Sequence, residues 1–113
     1  MSLLIKAIFI GILTVTSYRS VPSQTDNSPW TTSNGERVNE HGVAISQDLH
    51  RLWGGTLDYG DIVYIEGYGF KVVNDVMHPR MKKHIDIWVK TIKDEKEVGV
   101  KKLKIWRIYG RNL

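Results

Sequence analysis

The chain contains no cysteine among its 113 residues. This absence excludes disulfide scaffolds, zinc sites built from cysteines and catalysis by a thiol. Phosphate loops ending in Lys-Ser or Lys-Thr, the HExxH zinc motif and the GxSxG motif of serine hydrolases are also missing. The histidines are scattered, at His41, His50, His78 and His84. This spacing does not indicate a metal site, and we expect no metal or other cofactor.

The composition is that of a single globular domain with an uneven charge. Hydrophobic residues make up 42% and charged residues 25%, which is typical of a folded chain rather than a disordered one. Residues 1–70 carry a formal charge of −3 and residues 71–113 carry +7. The basic half suits nucleic acid, an anionic envelope polymer or a phospholipid surface. Aromatic residues are not interleaved with the basic residues of 71–104, so we expect no nucleic acid.

The first residues form an apolar segment, residues 1–11, interrupted only by Ser2 and Lys6. The segment is too short for a transmembrane helix, which needs about 20 apolar residues. Its length suits a signal or anchor with possible membrane contact. The alternative is a first β-strand over Ile10 to Tyr18, and both hold if residues 1–11 anchor the chain and residues 12–18 pair into a sheet. The folded domain is expected to cover residues 12–113.

Short strands separated by turns dominate the rest of the chain. One helix is expected over Ile92–Val98, with Thr91 as its N-cap and Gly99 as its end. Short strands and one brief helix in about 110 residues predict an all-β fold, a small closed or nearly closed β-barrel. The expected strands after the first are Val43–Ser46, Ile62–Glu66, Phe70–Asn74, Ile85–Val89 and Lys104–Tyr109.

Two aspartates occupy unusual positions within this pattern. Asp75 ends the predicted strand Phe70–Asn74, and Asp86 lies inside the strand Ile85–Val89, close to Trp88. A carboxyl group flanked by apolar residues is poorly solvated, which raises its pKa and keeps it protonated near neutral pH. That is the condition for a general acid. The alternative is an outward-pointing strand aspartate that accepts a hydrogen bond from a neighbouring loop.

Several segments together resemble the 3D (three-aspartate) domain family, which includes the catalytic domain of a membrane-bound lytic transglycosylase, muralytic domains and small phage proteins. The similarity extends from about Val15 to Tyr109. The matching segments begin at Val15 (Val-Thr-Ser-Tyr), Thr32 (Thr-Ser-Asn-Gly), Gly42 (Gly-Val-Ala-Ile-Ser), Leu57 (through Gly69), Val73 (Val-Asn-Asp), Ile85 (Ile-Asp-Ile-Trp) and Val98 (through Trp106).

The resemblance implies a small double-psi β-barrel and assigns roles to the aspartates. Asp86 matches the catalytic acid and base of the family, and Asp75 matches the second family aspartate, which lies beside it. The position of the first family aspartate is Ser46 in this chain. Asp48, two residues later, would face the same side if the strand continued, and is a candidate for partial replacement. We therefore include Ser46 and Asp48 among the expected substrate-binding residues.

The activity implied by the resemblance is non-hydrolytic cleavage of peptidoglycan between N-acetylmuramic acid and N-acetylglucosamine, giving a 1,6-anhydro sugar. The partner would be a glycan strand in the cell envelope, outside the cytoplasm, or in a phage setting. Tyr68, Trp88 and Trp30 are the expected stacking faces for sugar rings. Two alternatives remain: a glycan-binding module of the same fold that does not cut, and a basic phage structural or nucleic-acid-binding protein.

Overall fold

The computed structural model describes residues 3–20, 31–35 and 37–112. In this part of the chain, two 3₁₀ turns, Gln47–Leu49 and Arg51–Trp53, lie between the second and third strands. The strands and the single α-helix are β1 (Leu3–Tyr18), β2 (Gly42–Ile45), β3 (Ile62–Ile65), β4 (Gly69–Val76), β5 (His84–Trp88), α1 (Ile92–Val98) and β6 (Lys101–Asn112).

The six strands close into a ring in the order β1-β5-β2-β4-β3-β6, with β6 paired to β1. The pairs β1–β5 and β2–β4 are parallel, and the other four pairs are antiparallel. Parallel neighbours such as β1 and β5 come from distant parts of the sequence, so the ring is held by long-range pairing. The prediction of a small all-β fold with one short helix is confirmed.

Alternation along the strands places the core side chains inside the ring, whereas the outer face carries both polar and exposed apolar residues. In β5, Ile85 and Ile87 are buried in the core, and Asp86 between them therefore points to the outer face. Burial of these β-branched side chains supplies the main favourable term for folding in a chain without disulfides. The strand residues of the core come from all six strands: Leu13, Val15, Val43, Ile45, Val63, Ile65, Val73, Ile85, Ile87 and Ile105.

The N-terminal segment is part of the sheet from residue 3 onward, so the structure shows no boundary at residues 11 and 12. β1 pairs with β6 from Leu3 opposite Asn112 to Val15 opposite Lys101, with one bulge between Phe9 and Gly11. Gly11 has φ +144°, a conformation that L side chains rarely adopt, which explains glycine at the bulge. The first strand is longer than expected because β6 is also long and pairs along its whole length.

The helix α1 has the bounds expected from its sequence. The Thr91 hydroxyl accepts a hydrogen bond from the Asp94 backbone N–H at 3.1 Å, as an N-cap should, and Gly99 ends the helix. The buried side chain of Val98 fixes the last turn to the rest of the fold. Within the described residues, no helix is long and apolar enough to cross a membrane.

A close backbone contact in the loop after β2 gives a stability prediction. A Cβ atom at Gly55 would lie 2.1 Å from the carbonyl carbon of Leu49, and backbone cannot move aside as a side chain can. We expect Gly55→Ala to lower the free energy of unfolding by about 1–3 kcal/mol or more, as measured by urea denaturation. At Gly110 a Cβ would meet nothing within 4 Å. Gly110→Ala should therefore change stability by no more than about 0.5 kcal/mol, and an equal loss in both variants would contradict the explanation.

Candidate active site

The two aspartates lie on the same register row of the closed sheet. Asp86 in β5 is opposite Ala44 in β2, and Ala44 is in turn opposite Asp75 in β4. On the other side of β5, Asp86 is opposite Thr16 in β1. Residues in one row point to the same face, so both carboxyl groups project on the outer face, with the small Ala44 between them. We call Thr16, Asp86, Ala44 and Asp75 the carboxylate row.

Asp86 is a partly exposed residue with a largely buried carboxyl group. Burial raises the pKa of Asp86 from 3.8 to about 6, and the negative charges of Glu95 and Asp75 act in the same direction. The hydroxyl of Thr16 donates a hydrogen bond to Asp86 Oδ1 at 3.0 Å, which stabilises the ionised form and opposes the rise. Desolvation outweighs the hydrogen bond, so Asp86 keeps its proton up to about pH 6, and about a tenth of the molecules are still protonated at pH 7.

His84 extends the polar contacts of Asp86 along the outer face. Its Nε2 lies 2.6 Å from Thr16 Oγ1, and because that hydroxyl donates to Asp86, His84 Nε2–H donates to Thr16 when Asp86 is ionised. Burial lowers the pKa of His84, and the positive charge of Lys102 lowers it further. The imidazole is therefore neutral at neutral pH and connects to Asp86 by two hydrogen bonds through one hydroxyl.

Asp75 is fixed by donors from a loop and from β1. Its Oδ1 accepts hydrogen bonds from the backbone N–H of Ser33 and from that of Val76, both at 2.9 Å. The Tyr18 hydroxyl also forms a hydrogen bond with Asp75. The Ser33 hydroxyl in turn contacts Val76 N and the Tyr59 hydroxyl. Asp75 thus has a fixed position, from which its charge acts on Asp86.

Tyr18 connects the two ends of the carboxylate row. It lies two residues after Thr16 on β1 and is almost fully buried. Burial raises the pKa of the Tyr18 phenol above its usual value, and the charges of Asp75 and Asp86 and the hydrogen bond to Asp75 raise it further. The phenol is therefore neutral and remains a hydrogen-bond donor at every pH at which the protein is expected to work.

Removal of the Thr16 hydroxyl should raise the pKa of Asp86 further. Thr16→Val keeps the shape of the side chain but deletes the hydrogen bond that stabilises the ionised carboxyl group. We expect the titration midpoint of Asp86, measured by carbon-13 NMR of its side chain, to move above the wild-type value. Thr14→Val is the matched control, because Thr14 lies on the same face of β1 and accepts a hydrogen bond from Lys102 instead. An unchanged or lower midpoint in Thr16→Val would contradict the assigned role of this hydroxyl.

Two expected substrate-binding residues form hydrogen bonds within the scaffold. Ser46 is fully buried, and its hydroxyl accepts a hydrogen bond from the His84 backbone N–H at 3.0 Å, so it has no surface for a substrate. Asp48 lies in a 3₁₀ turn because β2 ends at Ile45, and the alternation of a strand does not reach it. Its carboxylate accepts from the backbone N–H of Lys83 at 3.1 and 3.3 Å. Burial therefore argues against substrate contact by Ser46, whereas the substrate role of Asp48 stays a prediction.

The three expected stacking residues have different outcomes. Trp88 lies two residues after Asp86 on β5, hence on the same face, and is partly exposed. Its indole N–H donates a hydrogen bond to the Ser20 hydroxyl at 2.8 Å. Tyr68 lies in the turn between β3 and β4, packs against the core and accepts a hydrogen bond from Lys101 Nζ at 2.6 Å, so it is not part of the row. Trp30 lies outside the described residues.

Sequence reasoning did not assign roles to Thr16, Tyr18, His84 and Ser33, although each contacts an aspartate of the row or its immediate partner. Thr16, Tyr18 and Ser33 fall inside the matching segments that begin at Val15 and Thr32. Their place in those segments was the sequence signal that could have identified them as site residues. His84 had no signal, because its role depends on the pairing of β5 with β1.

The described residues contain no group of three or more potential metal ligands. Their site is a pair of carboxyl groups with neutral hydroxyl and imidazole neighbours, an arrangement suited to proton transfer. A scan of protein-family models finds no match to the chain, and a search of curated proteins finds none either. The resemblance to the 3D domain therefore rests on the sequence motifs.

Proposed function

We propose that this chain is a peptidoglycan lytic transglycosylase-like enzyme of the 3D domain family, with a double-psi barrel as its fold. The observation that carries the proposal is the placement of Asp86, with its pKa raised to about 6, on one outer row with Asp75. The motif resemblance supplies the reaction class. The two parallel pairs within the closed ring are compatible with the proposed fold.

Asp86 is the general acid in the first half of the proposed reaction. Its carboxyl group donates a proton to the oxygen of the β-1,4 bond between N-acetylmuramic acid and N-acetylglucosamine. The bond from that oxygen to C1 of the muramic ring breaks, and C1 takes on oxocarbenium character. A carboxyl group whose pKa is raised to about 6 is suited to this step.

The same residue, now a carboxylate, is the base in the second half. It takes the proton from the 6-hydroxyl of the muramic sugar as O6 attacks C1, and a 1,6-anhydro ring forms. The proton released by O6 restores Asp86, so no water is consumed. An intramolecular hydroxyl has a high effective concentration, which is why one carboxyl group is enough where hydrolytic glycosidases use two.

Asp75 and Tyr18 support the acid rather than touch the reacting atoms. The charge of Asp75 disfavours loss of the Asp86 proton, and Tyr18 holds Asp75 in place. Trp88 is the proposed stacking face for a sugar ring, since it shares the outer face with Asp86. A peptidoglycan substrate puts the working location in the cell envelope, outside the cytoplasm, or in a phage that attacks it.

A glycan-binding module without cleavage is the second candidate, and one observation favours it. Ser46 takes the position of the first family aspartate and is fully buried. If the family reaction needs a third carboxyl group at that position, the chain would bind glycan and release nothing.

Digestion of purified peptidoglycan sacculi separates the two candidates. We expect soluble muropeptides with 1,6-anhydro ends, identified by mass spectrometry, from the wild-type chain and none from Asp86→Asn. Asp94→Asn, the same chemical change on α1, should cleave like wild type. Co-sedimentation with sacculi but no anhydro product from the wild type would assign the chain to the binding module. Products with reducing muramic ends would instead indicate hydrolysis and contradict the proposed mechanism.

A further inference from the structure

A second row of the sheet, on β1, β6, β3 and β4, consists of aromatic side chains. Phe9 in β1 is opposite Trp106 in β6, Trp106 is opposite Tyr64 in β3, and Tyr64 is opposite Phe70 in β4. The ring centroids of successive residues are 5.5, 6.0 and 5.0 Å apart. We call these four residues the aromatic row. Phe9 and Phe70 are more than half exposed, so the row is an open surface.

Next to this row, β1 and β6 continue as a two-stranded ribbon. The pairing of β6 with β3 ends at Ile108, whereas its pairing with β1 runs on to Asn112. Beyond that point, the described residues provide no third strand. Leu4 and Ile5 are consecutive and so point to opposite faces of the ribbon, yet their exposures are 48% and 63%. Both faces of the ribbon therefore present apolar side chains to solvent.

Three kinds of partner can be compared for this surface. A glycan would need aromatic faces presented side by side, but successive rings in the row are inclined by 62°, 62° and 70° and pack edge to face. A second copy of the chain, packed flat on the sheet, covers one face of the ribbon and leaves the other in water. A lipid surface covers both faces, because the ribbon is surrounded once it enters the boundary between headgroups and acyl chains.

The charges around the ribbon favour a lipid surface that is anionic. The cations of the four ion pairs among the described residues are Arg19, His50, Arg51 and Arg107. None of them is a lysine. Lys6 lies within the ribbon, and Lys104 lies two residues before Trp106 on β6, hence on the same face as the aromatic row. These ammonium groups are available to the phosphates of anionic headgroups.

From these observations we infer that the β1–β6 ribbon and the aromatic row form a docking surface for an anionic lipid bilayer. Ile5 and Phe9 enter the interface, Trp106 and Tyr64 lie at headgroup level, and the lysines contact phosphate oxygens. The central residues of the carboxylate row, Asp86 and Ala44, lie on β5 and β2, which carry no residue of the aromatic row. The inference does not depend on the cleavage reaction.

Vesicle co-sedimentation of the full chain tests the inference. We expect binding to vesicles of phosphatidylglycerol and phosphatidylcholine to exceed binding to phosphatidylcholine alone by about tenfold or more, and to weaken with added salt. The double variant Ile5→Gln and Phe9→Gln should lose about tenfold or more of the partition coefficient. Leu52→Gln is the matched control, since Leu52 is similarly exposed at 61% on a separate loop, and it should bind like wild type.

The outcomes that overturn the inference are distinct. They are no binding of the wild type to anionic vesicles, or equal binding by the double variant, whose retained fold is checked by circular dichroism. A dimer in sedimentation equilibrium that the double variant abolishes would assign the surface to a second copy and also overturn it. Asp86→Asn should bind vesicles like wild type, so failure of the cleavage proposal and failure of this one are distinguishable.

Discussion

Replacement of Asp86 by asparagine is expected to lower the rate of anhydro-muropeptide release by about 10²–10⁴-fold. The amide keeps the size of the side chain and still accepts a hydrogen bond from Thr16, but its N–H protons are not acidic enough to be transferred to a glycosidic oxygen. Binding to sacculi should be unchanged, because the substitution alters proton transfer and leaves the outer face intact. Initial rates and sedimented fractions measured on the same preparation separate these two effects.

The same substitution should stabilise the fold at alkaline pH. The pKa of Asp86 is raised in the folded state to about 6, from 3.8. The folded state therefore binds the proton more tightly, and its stability falls as pH rises through this range. An asparagine side chain does not ionise and carries no such cost, so the stability difference in favour of Asp86→Asn should grow from low pH to about pH 8 by up to about 3 kcal/mol.

Urea denaturation at several pH values measures this difference. Asp94→Asn controls for the loss of a carboxyl group in general and should show little change in the difference between acid and alkaline pH. A stability difference between Asp86→Asn and wild type that does not grow from acid to alkaline pH would show that ionisation of Asp86 is not costly in the fold. A loss of activity in such a variant would then need another explanation.

The second large effect is the pH dependence of cleavage. Since the free enzyme must carry a proton on Asp86, the rate should fall about tenfold per pH unit above about pH 6, and about a hundredfold by pH 8. Burial and the positive charge of Lys102 lower the pKa of His84, which moves its titration below its ordinary range and away from the alkaline limb of the profile. Rates on sacculi in buffers of constant ionic strength give the profile.

Two results would contradict this reading of the profile. One is a rate that stays constant to about pH 8, and the other is a fall centred near the ordinary aspartate value of about 4. Denaturation at alkaline pH is excluded as a cause if circular dichroism remains unchanged over the same range.

Features set by local sequence were predictable. The helix over Ile92–Val98 was predicted with its bounds because its cap, its acidic first turn and its terminal glycine are all local signals. The strand containing Asp86 was predictable because its β-branched and aromatic residues are also a local signal. The unusual position of Asp86 within that strand was the reason for assigning it an acid role, and this needed no knowledge of its neighbours.

Features set by pairing between distant strands were not predictable. Thr16 and Asp86 are 70 positions apart, and their contact depends on the parallel register of β1 with β5. The apolar residues before Gly11 suggested a signal or anchor. Their place in the sheet depends on pairing with the long strand β6, which lies at the other end of the sequence. The prediction that Asp48 would face the same side as Ser46 required β2 to continue to Asp48. In the structure β2 ends at Ile45 and Asp48 lies in the following 3₁₀ turn.

In the folded protein, Asp86 keeps its proton to a higher pH than a solvated aspartate does. The carbon-13 shift of its carboxyl group, followed by NMR from about pH 3 to about pH 9, measures this without any substrate. We predict a midpoint of about 6, which should decrease in Asp75→Asn because the neighbouring negative charge is removed. A midpoint near 4 in the wild type, the value of a solvated aspartate, would contradict the claim.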